Sequence, residues 1–188
     1  MRNSIIDPVA EPGEIRNRRH WVIGAVACAA ALGGFSLAWH ALESPGEPVV
    51  MEPGFWQLQF ETPDGQVFRM DSLRHKTLLL NFWASWCAPC VEELPLLSGF
   101  HSSNVANGWQ VLGLAIDESD PVRHFLAHTP ISFPVVLAGA PGIELSKSLG
   151  NRMGGLPFTA VINSREQIVR RKMGRVSVDD LRAWTAAR

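Results

Sequence analysis

Cys87 and Cys90 are the side chains of this 188-residue chain best suited to covalent chemistry, and they stand three positions apart in "NFWASWCAPCVEELPLL", residues 81–97. A pair at this spacing can cycle between dithiol and disulfide, supply half of a metal site, or fill a core. The flanking pattern separates these readings. "TLLLNFW" at 77–83 is a continuous apolar run, as in a strand buried on both faces. After Cys87, apolar residues at 91, 94, 97 and 100 form a helical stripe. Cys87 therefore falls at a strand-to-helix junction, where unpaired backbone N–H groups and the helix dipole favour an anion. A thiolate is such an anion, so a lowered pKa is expected for Cys87. Cys90, one turn further in, is expected to be less accessible and able to close onto the Cys87 sulfur. Pro89 fits the first turn, which does not need its N–H.

Glu93 follows Cys90 by three residues, which places both on one side of the helix and allows proton exchange with a buried thiol. The alternative is a solvated glutamate. Its neighbour Glu92 points elsewhere and suits solvent near the helix start. Pro95 is expected to kink the helix.

Metal and haem readings fit less well. Zinc could use Cys87 and Cys90 with His124 and His128, but residues 91–123 put 33 positions between the pairs, against about a dozen in the usual pattern. Two thiolates, with a methionine as a third ligand, would suit Cu(I), so a copper(I)-binding module remains a rival from another class. Haem attachment needs histidine after the second cysteine, where Val91 stands. A thiol peroxidase pattern would put proline at 80 and threonine at 84, where the chain has Leu80 and Ala84. No metal and no cofactor is expected. His101, His124 and His128 read as surface or capping residues.

Net charge of −1 gives no global field to draw nucleic acid. Three cysteines are too few for a disulfide-stapled mini-fold. The third, Cys28, lies in "WVIGAVACAAALGGFSLAWHAL", residues 21–42, which lacks Asp, Glu, Lys and Arg over 22 positions, whereas a spanning helix needs about 20. Arg16, Arg18 and Arg19 precede it and Glu43, Glu47 and Glu52 follow, so a cytoplasmic tail at 1–20, a transmembrane anchor at 21–42 and an exported C-terminal region are expected. Ser36-Leu37-Ala38 also fits a signal-peptide cleavage site. Either way the cysteine pair reaches a compartment where disulfides persist. Residues 43–54, rich in Pro, Gly and Glu, read as a linker and 55–188 as one domain.

Within that domain, 55–60 and 66–70 read as a hairpin around Thr62-Pro63-Asp64-Gly65, followed by strands at 77–83, 109–116, about 133–139, 158–162 and 167–173. Helices are expected from Cys87 to about Phe100, from an Asp120 cap to about His128, near 143–149, and from Ser177, whose capping pair is Asp180. This order predicts an α/β fold, a mixed central sheet flanked by helices. Arg170, Arg171, Lys172 and Arg175 read as charges that protect an edge strand rather than as a contact patch.

"LLLNFWASWCAPCVEELP" together with "GGLPFTAVI" resembles the membrane-anchored thioredoxin-like reductases of the TlpA/ResA type, relatives of the cytochrome c maturation reductases, over about residues 55–188. The resemblance implies a thioredoxin fold preceded by one N-terminal transmembrane helix. It also implies catalysis by a redox-active Cys87–Cys90 disulfide with Glu93 handling protons. Trp86, Leu156 and Pro157 would bind substrate, with Pro157 in a cis peptide and the Leu156 backbone pairing with an extended segment. Expected activity is reduction of disulfides in an exported protein, an apocytochrome c or a copper-site protein, by a monomer re-reduced by a membrane electron donor. The domain would sit on the periplasmic side of the cell inner membrane. A thiol oxidase on the same fold would differ only in reduction potential. His75, where the family often has glycine, questions a turn; Asn163, where it usually has aspartate, questions a local cap.

Overall fold

The structure, a computed structural model, describes residues 49–186. The tail at 1–20, the apolar segment at 21–42 and residues 43–48 of the expected linker lie outside the described residues. Among the described residues no helix is long and apolar enough to cross a membrane. The strands are β1 (Val49–Val50), β2 (Gln59–Glu61), β3 (Val67–Arg69), β4 (Thr77–Trp83), β5 (Trp109–Ala115), β6 (Val135–Leu137), β7 (Phe158–Ile162) and β8 (Gln167–Met173). The helices are α1 (Ala88–Asn104), α2 (Ser119–His128), α3 (Pro141–Ser148) and α4 (Val178–Ala186).

One mixed sheet has the order β1-β8-β7-β4-β5-β6-β2-β3. β4 pairs parallel with β5, and β5 with β6; β7 runs antiparallel to β4 and to β8. Side chains alternate along each strand, so β4 feeds two cores. Leu78, Leu80 and Phe82 join Leu112, Leu114 and Ala160 on one face, covered by Phe55, Trp56, Met70 and Leu149. Leu79 and Trp83 join Val111 and Val161 on the other, covered by Leu94, Leu97 and Phe100 of α1, Val122 of α2 and Leu181 of α4. Burial on both faces explains why β4 reads as an unbroken apolar run. Asn81 interrupts it on the α1 face.

Several elements depart from the sequence reading. Residues 55–60 are not one strand: Pro53–Gln57 forms a 3-10 turn and only Gln59–Glu61 pairs. Phe55 and Trp56 are adjacent and both buried in the same core, whereas neighbours on a strand point to opposite faces and a tight helical turn can bring both to one side. The hairpin survives, with Glu61 opposite Val67. The expected linker boundary moves, because Val49 and Val50 pair with Ile168 and Gln167 and cover part of the β8 edge. Asp120 lies inside the first turn of α2, whose cap is Glu118, and bonds Arg123 instead of capping. Helix α1 continues through Pro95 to Asn104, beyond the expected end near Phe100. Ser177 and Asp180 do form the expected reciprocal cap, with Asp180 N–H donating to Ser177 Oγ at 3.1 Å and Ser177 N–H to Asp180 Oδ2 at 2.8 Å.

The basic run is dispersed among separate partners. Arg171 Nε donates to the Leu149 carbonyl, Lys172 pairs with Asp180, and Arg175 pairs with Glu92.

Candidate active site

Strand β4 ends at Trp83, and the chain turns through Ala84, Ser85 and Trp86 to Cys87, the N-cap of α1. Two features hold this turn. Cys87 N–H donates to the Ala84 carbonyl at 3.2 Å. Asp117, just beyond β5, accepts from the Ser85 N–H at 2.9 Å and from Ser85 Oγ at 2.6 Å through one carboxylate oxygen. Because β4 and β5 are parallel neighbours, their C-terminal ends adjoin, which brings Asp117 to the turn. Pro89 sits in the first turn of α1, as expected.

Cys87 and Cys90 are joined, with an S–S distance of 1.99 Å and Cα atoms 5.2 Å apart. Cys90 is fully buried, whereas Cys87 keeps 7% exposure. Solvent therefore reaches the pair from the Cys87 side. Trp86 beside it is 70% exposed.

Below the disulfide, Glu93 is 1% exposed and faces the sheet. Its Oε1 accepts from Asn81 Nδ2 at 2.7 Å, and its Oε2 accepts from the Val176 N–H at 2.6 Å. Asn81 Nδ2 also donates to Thr159 Oγ1 at 3.1 Å. Asn81 on β4 and Thr159 on β7 are register partners, so the glutamate descends from α1 onto a cross-strand pair. Burial pushes the Glu93 carboxyl above its ordinary range, and the donors at Val176 and Asn81 and the charge of Arg175 only partly oppose it. Glu92 stands in solvent with Arg175, as the helix geometry requires.

The Leu156–Pro157 peptide is cis, as the resemblance implies. Pro157 is buried immediately before β7, at the same end of the sheet as Trp83, since Phe158 registers with Phe82. Its carbonyl accepts from Gly174 N–H at 2.9 Å. Leu156 is half-buried and packs on both cores. The structure thus gathers Trp86, Cys87, Cys90, Leu156 and Pro157 at one end of the sheet, with Glu93 beneath.

Sequence reasoning missed Asn81, Thr159, Ser85, Asp117 and the Val176 N–H. Polar residues inside the runs "TLLLNFW" and "FTAVI" were the signal for the first two. Ser85 and Asp117 carried no local signal. His124 and His128 lie against each other on α2, with ring centroids 4.6 Å apart. Among the described residues no group of three or more His, Cys, Asp or Glu side chains could hold a metal.

The Redoxin family model matches residues 54–184. A thiol-disulfide oxidoreductase ResA of Bacillus thuringiensis (strain Al Hakam) is 26% identical over 122 residues, covering 64% of this chain and 68% of the relative. The sporulation thiol-disulfide oxidoreductase A of Bacillus subtilis (strain 168) is 26% identical over 129 residues, covering 66% and 75%. Among solved structures, a thioredoxin-family thiol:disulfide interchange protein from Chlorobium tepidum TLS superposes with a TM-score of 0.63 at 24% identity, covering 76% of this chain and 97% of that one. The sheet and its flanking helices are those of a thioredoxin fold.

Proposed function

Because the chain belongs to the Redoxin family, we propose that its thiol–disulfide oxidoreductase centre works as a reductase of disulfides in exported proteins. The observation that carries this is a Cys87–Cys90 disulfide at the start of α1 with the buried Glu93 carboxyl one turn beyond it. In the reduced enzyme the Cys87 thiolate attacks one sulfur of the substrate disulfide. A mixed disulfide forms and the other substrate sulfur leaves as a thiolate. Glu93 takes the proton of the Cys90 thiol, and the resulting thiolate attacks Cys87 Sγ. Of the two substrate thiolates, one takes the proton held by Glu93 and the other a proton from solvent, so the substrate leaves as two thiols with two electrons and two protons gained, and the enzyme is left as the disulfide. A dithiol donor must then reverse this state.

Trp86, exposed beside Cys87, and Leu156, whose backbone would pair with an extended segment, are assigned to substrate binding with Pro157. Met153, 89% exposed three residues before Leu156, offers an adaptable apolar contact nearby. The resemblance supports an apocytochrome c or copper-site protein as substrate and a membrane electron-transfer protein as donor. The uncharged stretch at 21–42 supports an anchor that holds a monomeric domain on the extracytoplasmic side.

The test uses the full chain carrying Cys90→Ser, which cannot resolve a mixed disulfide. Mixed with an oxidised peptide bearing a Cys-x-x-Cys-His sequence, it is expected to accumulate an adduct on Cys87. No adduct would remove the reductase reading. A reduction potential of about −120 mV, that of a strong oxidant, would reverse the direction of electron flow.

A further inference from the structure

Asn81 is fully buried within β4, where every other buried residue is apolar, yet it uses only half of its amide. Nδ2 donates to both Glu93 and Thr159, while Oδ1 is buried with no hydrogen-bond partner. A buried amide oxygen in this condition needs a reason beyond packing.

The reason lies in what its two partners can do. A carboxylate oxygen only accepts, a protonated carboxyl can donate, and a threonine hydroxyl does either. With Glu93 ionised, the amide must present Nδ2 to both. With Glu93 protonated at Oε1, Nδ2 would meet an O–H, donor against donor. Half a turn of the amide about its last torsion puts Oδ1 in that place, accepting from the Glu93 carboxyl and from the Thr159 hydroxyl. Both orientations make two hydrogen bonds to the same two groups, with every direction reversed. The far atom of the amide meets no partner that would hold one orientation.

Val176 fixes which oxygen of Glu93 carries the proton. Its backbone N–H can only donate, so Oε2 must keep accepting and the proton belongs on Oε1, the atom facing Asn81. We propose that Asn81 is a proton-linked positioning residue, whose amide turns over as Glu93 gains or loses its proton and so gives the buried carboxyl a matched partner in both states. The proposal rests on the reading of Glu93 as the group that exchanges a proton with Cys90.

The charged groups around the cluster leave Glu93 as the driver. Arg175 is the cation acting on it and is paired with Glu92. Lys172, beside Thr159 in register, is bonded to Asp180. Cys87 and Cys90 carry no proton in the disulfide.

The experiment is nuclear magnetic resonance on the oxidised full chain, labelled in the asparagine side-chain amides and glutamate carboxyls and titrated from about pH 4 to about pH 9. The Asn81 signal is identified by its loss in Asn81→Leu. The Glu93 carboxyl carbon and the Asn81 amide are expected to move with one shared midpoint. In Thr159→Val, which keeps the shape and lacks the hydroxyl, the Asn81 response is expected to persist. A Glu93 carbon that titrates while the Asn81 amide stays still overturns the switch and leaves the role of Glu93 standing. A Glu93 carbon that does not titrate in this range overturns both. In Asn81→Leu the carboxylate loses a charge-assisted bond and the protonated carboxyl only a weaker neutral one, so the Glu93 midpoint is expected to rise by about one unit, a tenfold change in proton affinity; an unchanged midpoint means that Asn81 makes no bond that depends on the charge of Glu93 and overturns the proposal.

Discussion

The two ends of the central sheet each hold a glutamate bonded across the fold, and they treat it in opposite ways. At the disulfide end, Glu93 is shut away from water with two uncharged donors, and burial raises its pKa. At the far end, Glu166 in the β7–β8 turn bonds the Arg74 guanidinium at 2.7 Å with His75 at 3.2 Å, and the guanidinium holds its carboxyl below the ordinary range. A cation opposite Glu93 would pin it as a carboxylate. Neutral donors leave it able to take a proton. Placing Arg175 on Glu92 rather than on Glu93 keeps the two jobs, surface pairing and proton exchange, on separate residues. The comparison teaches that the active end is organised to let charge change and the far end to keep it fixed.

The largest effect should come from the sulfurs. Cys87→Ser is expected to abolish disulfide reduction and Cys90→Ser to stop it after the mixed disulfide, as judged by turnover and by mass of the trapped adduct. If Cys90→Ala turned over normally, the buried end would have no role beyond packing.

Glu93→Gln is expected to lower the rate of release from the mixed disulfide by about 10²–10⁴-fold, the usual range for general acid–base groups. Its stability also carries a sign. The folded pKa of Glu93 lies above the unfolded one, so the protonated carboxyl is accommodated at low pH and stability is lost as pH rises through the folded value. Melting curves of the wild type should therefore fall against those of Glu93→Gln with rising pH. For Glu166, whose folded pKa is depressed, the order reverses: its contribution is present above the unfolded pKa and is lost as pH falls through the folded one. Equal pH dependence in Glu93→Gln and Glu166→Gln would erase the contrast between the ends.

Asp117→Ala tests how firmly the active end is held. It strips both hydrogen bonds from Ser85 and leaves the turn before Cys87 unfastened. Chemical denaturation should show a loss of about 1–3 kcal/mol. Cys87 alkylation in the reduced protein should change rate as the N-cap geometry loosens. Asp117→Asn, which can still accept from Ser85, should recover most of both.

Much of this was legible along the chain because it is local. An apolar run followed by a 3.6-residue stripe locates β4, α1 and the cysteines between them. Ser177 with Asp180 marks a helix start through a bond spanning three residues. What escaped depends on register and distance. The burial of Glu93 is completed by Val176, 83 positions away. Asn81 meets Thr159 only because β7 folds back against β4 at one particular register. Asp117 reaches Ser85 only because the parallel pairing of β4 and β5 aligns their ends. The 3-10 turn at 53–57 was hidden because an aromatic pair inside an alternating stretch reads as strand until both rings are seen to be buried.

The smallest expected effect lies at the far end, at His75. This residue has φ of 64°, a left-handed conformation that glycine adopts freely and a side chain with a Cβ does not. Its imidazole contributes an exposed contact with Glu166, 71% accessible on the histidine side, of the kind that adds little to stability. His75→Gly removes that contact and the Cβ penalty together, while the unfolded chain gains freedom that opposes the benefit. The conformational penalty is the larger quantity, so a net gain of up to about 1 kcal/mol is expected by denaturation. Disulfide reduction should be unchanged, since His75 precedes β4 and the cysteines follow it, at opposite ends of the same strand. A change in turnover would mean that the far end is coupled to the disulfide, and the division of labour between the two glutamates would fail.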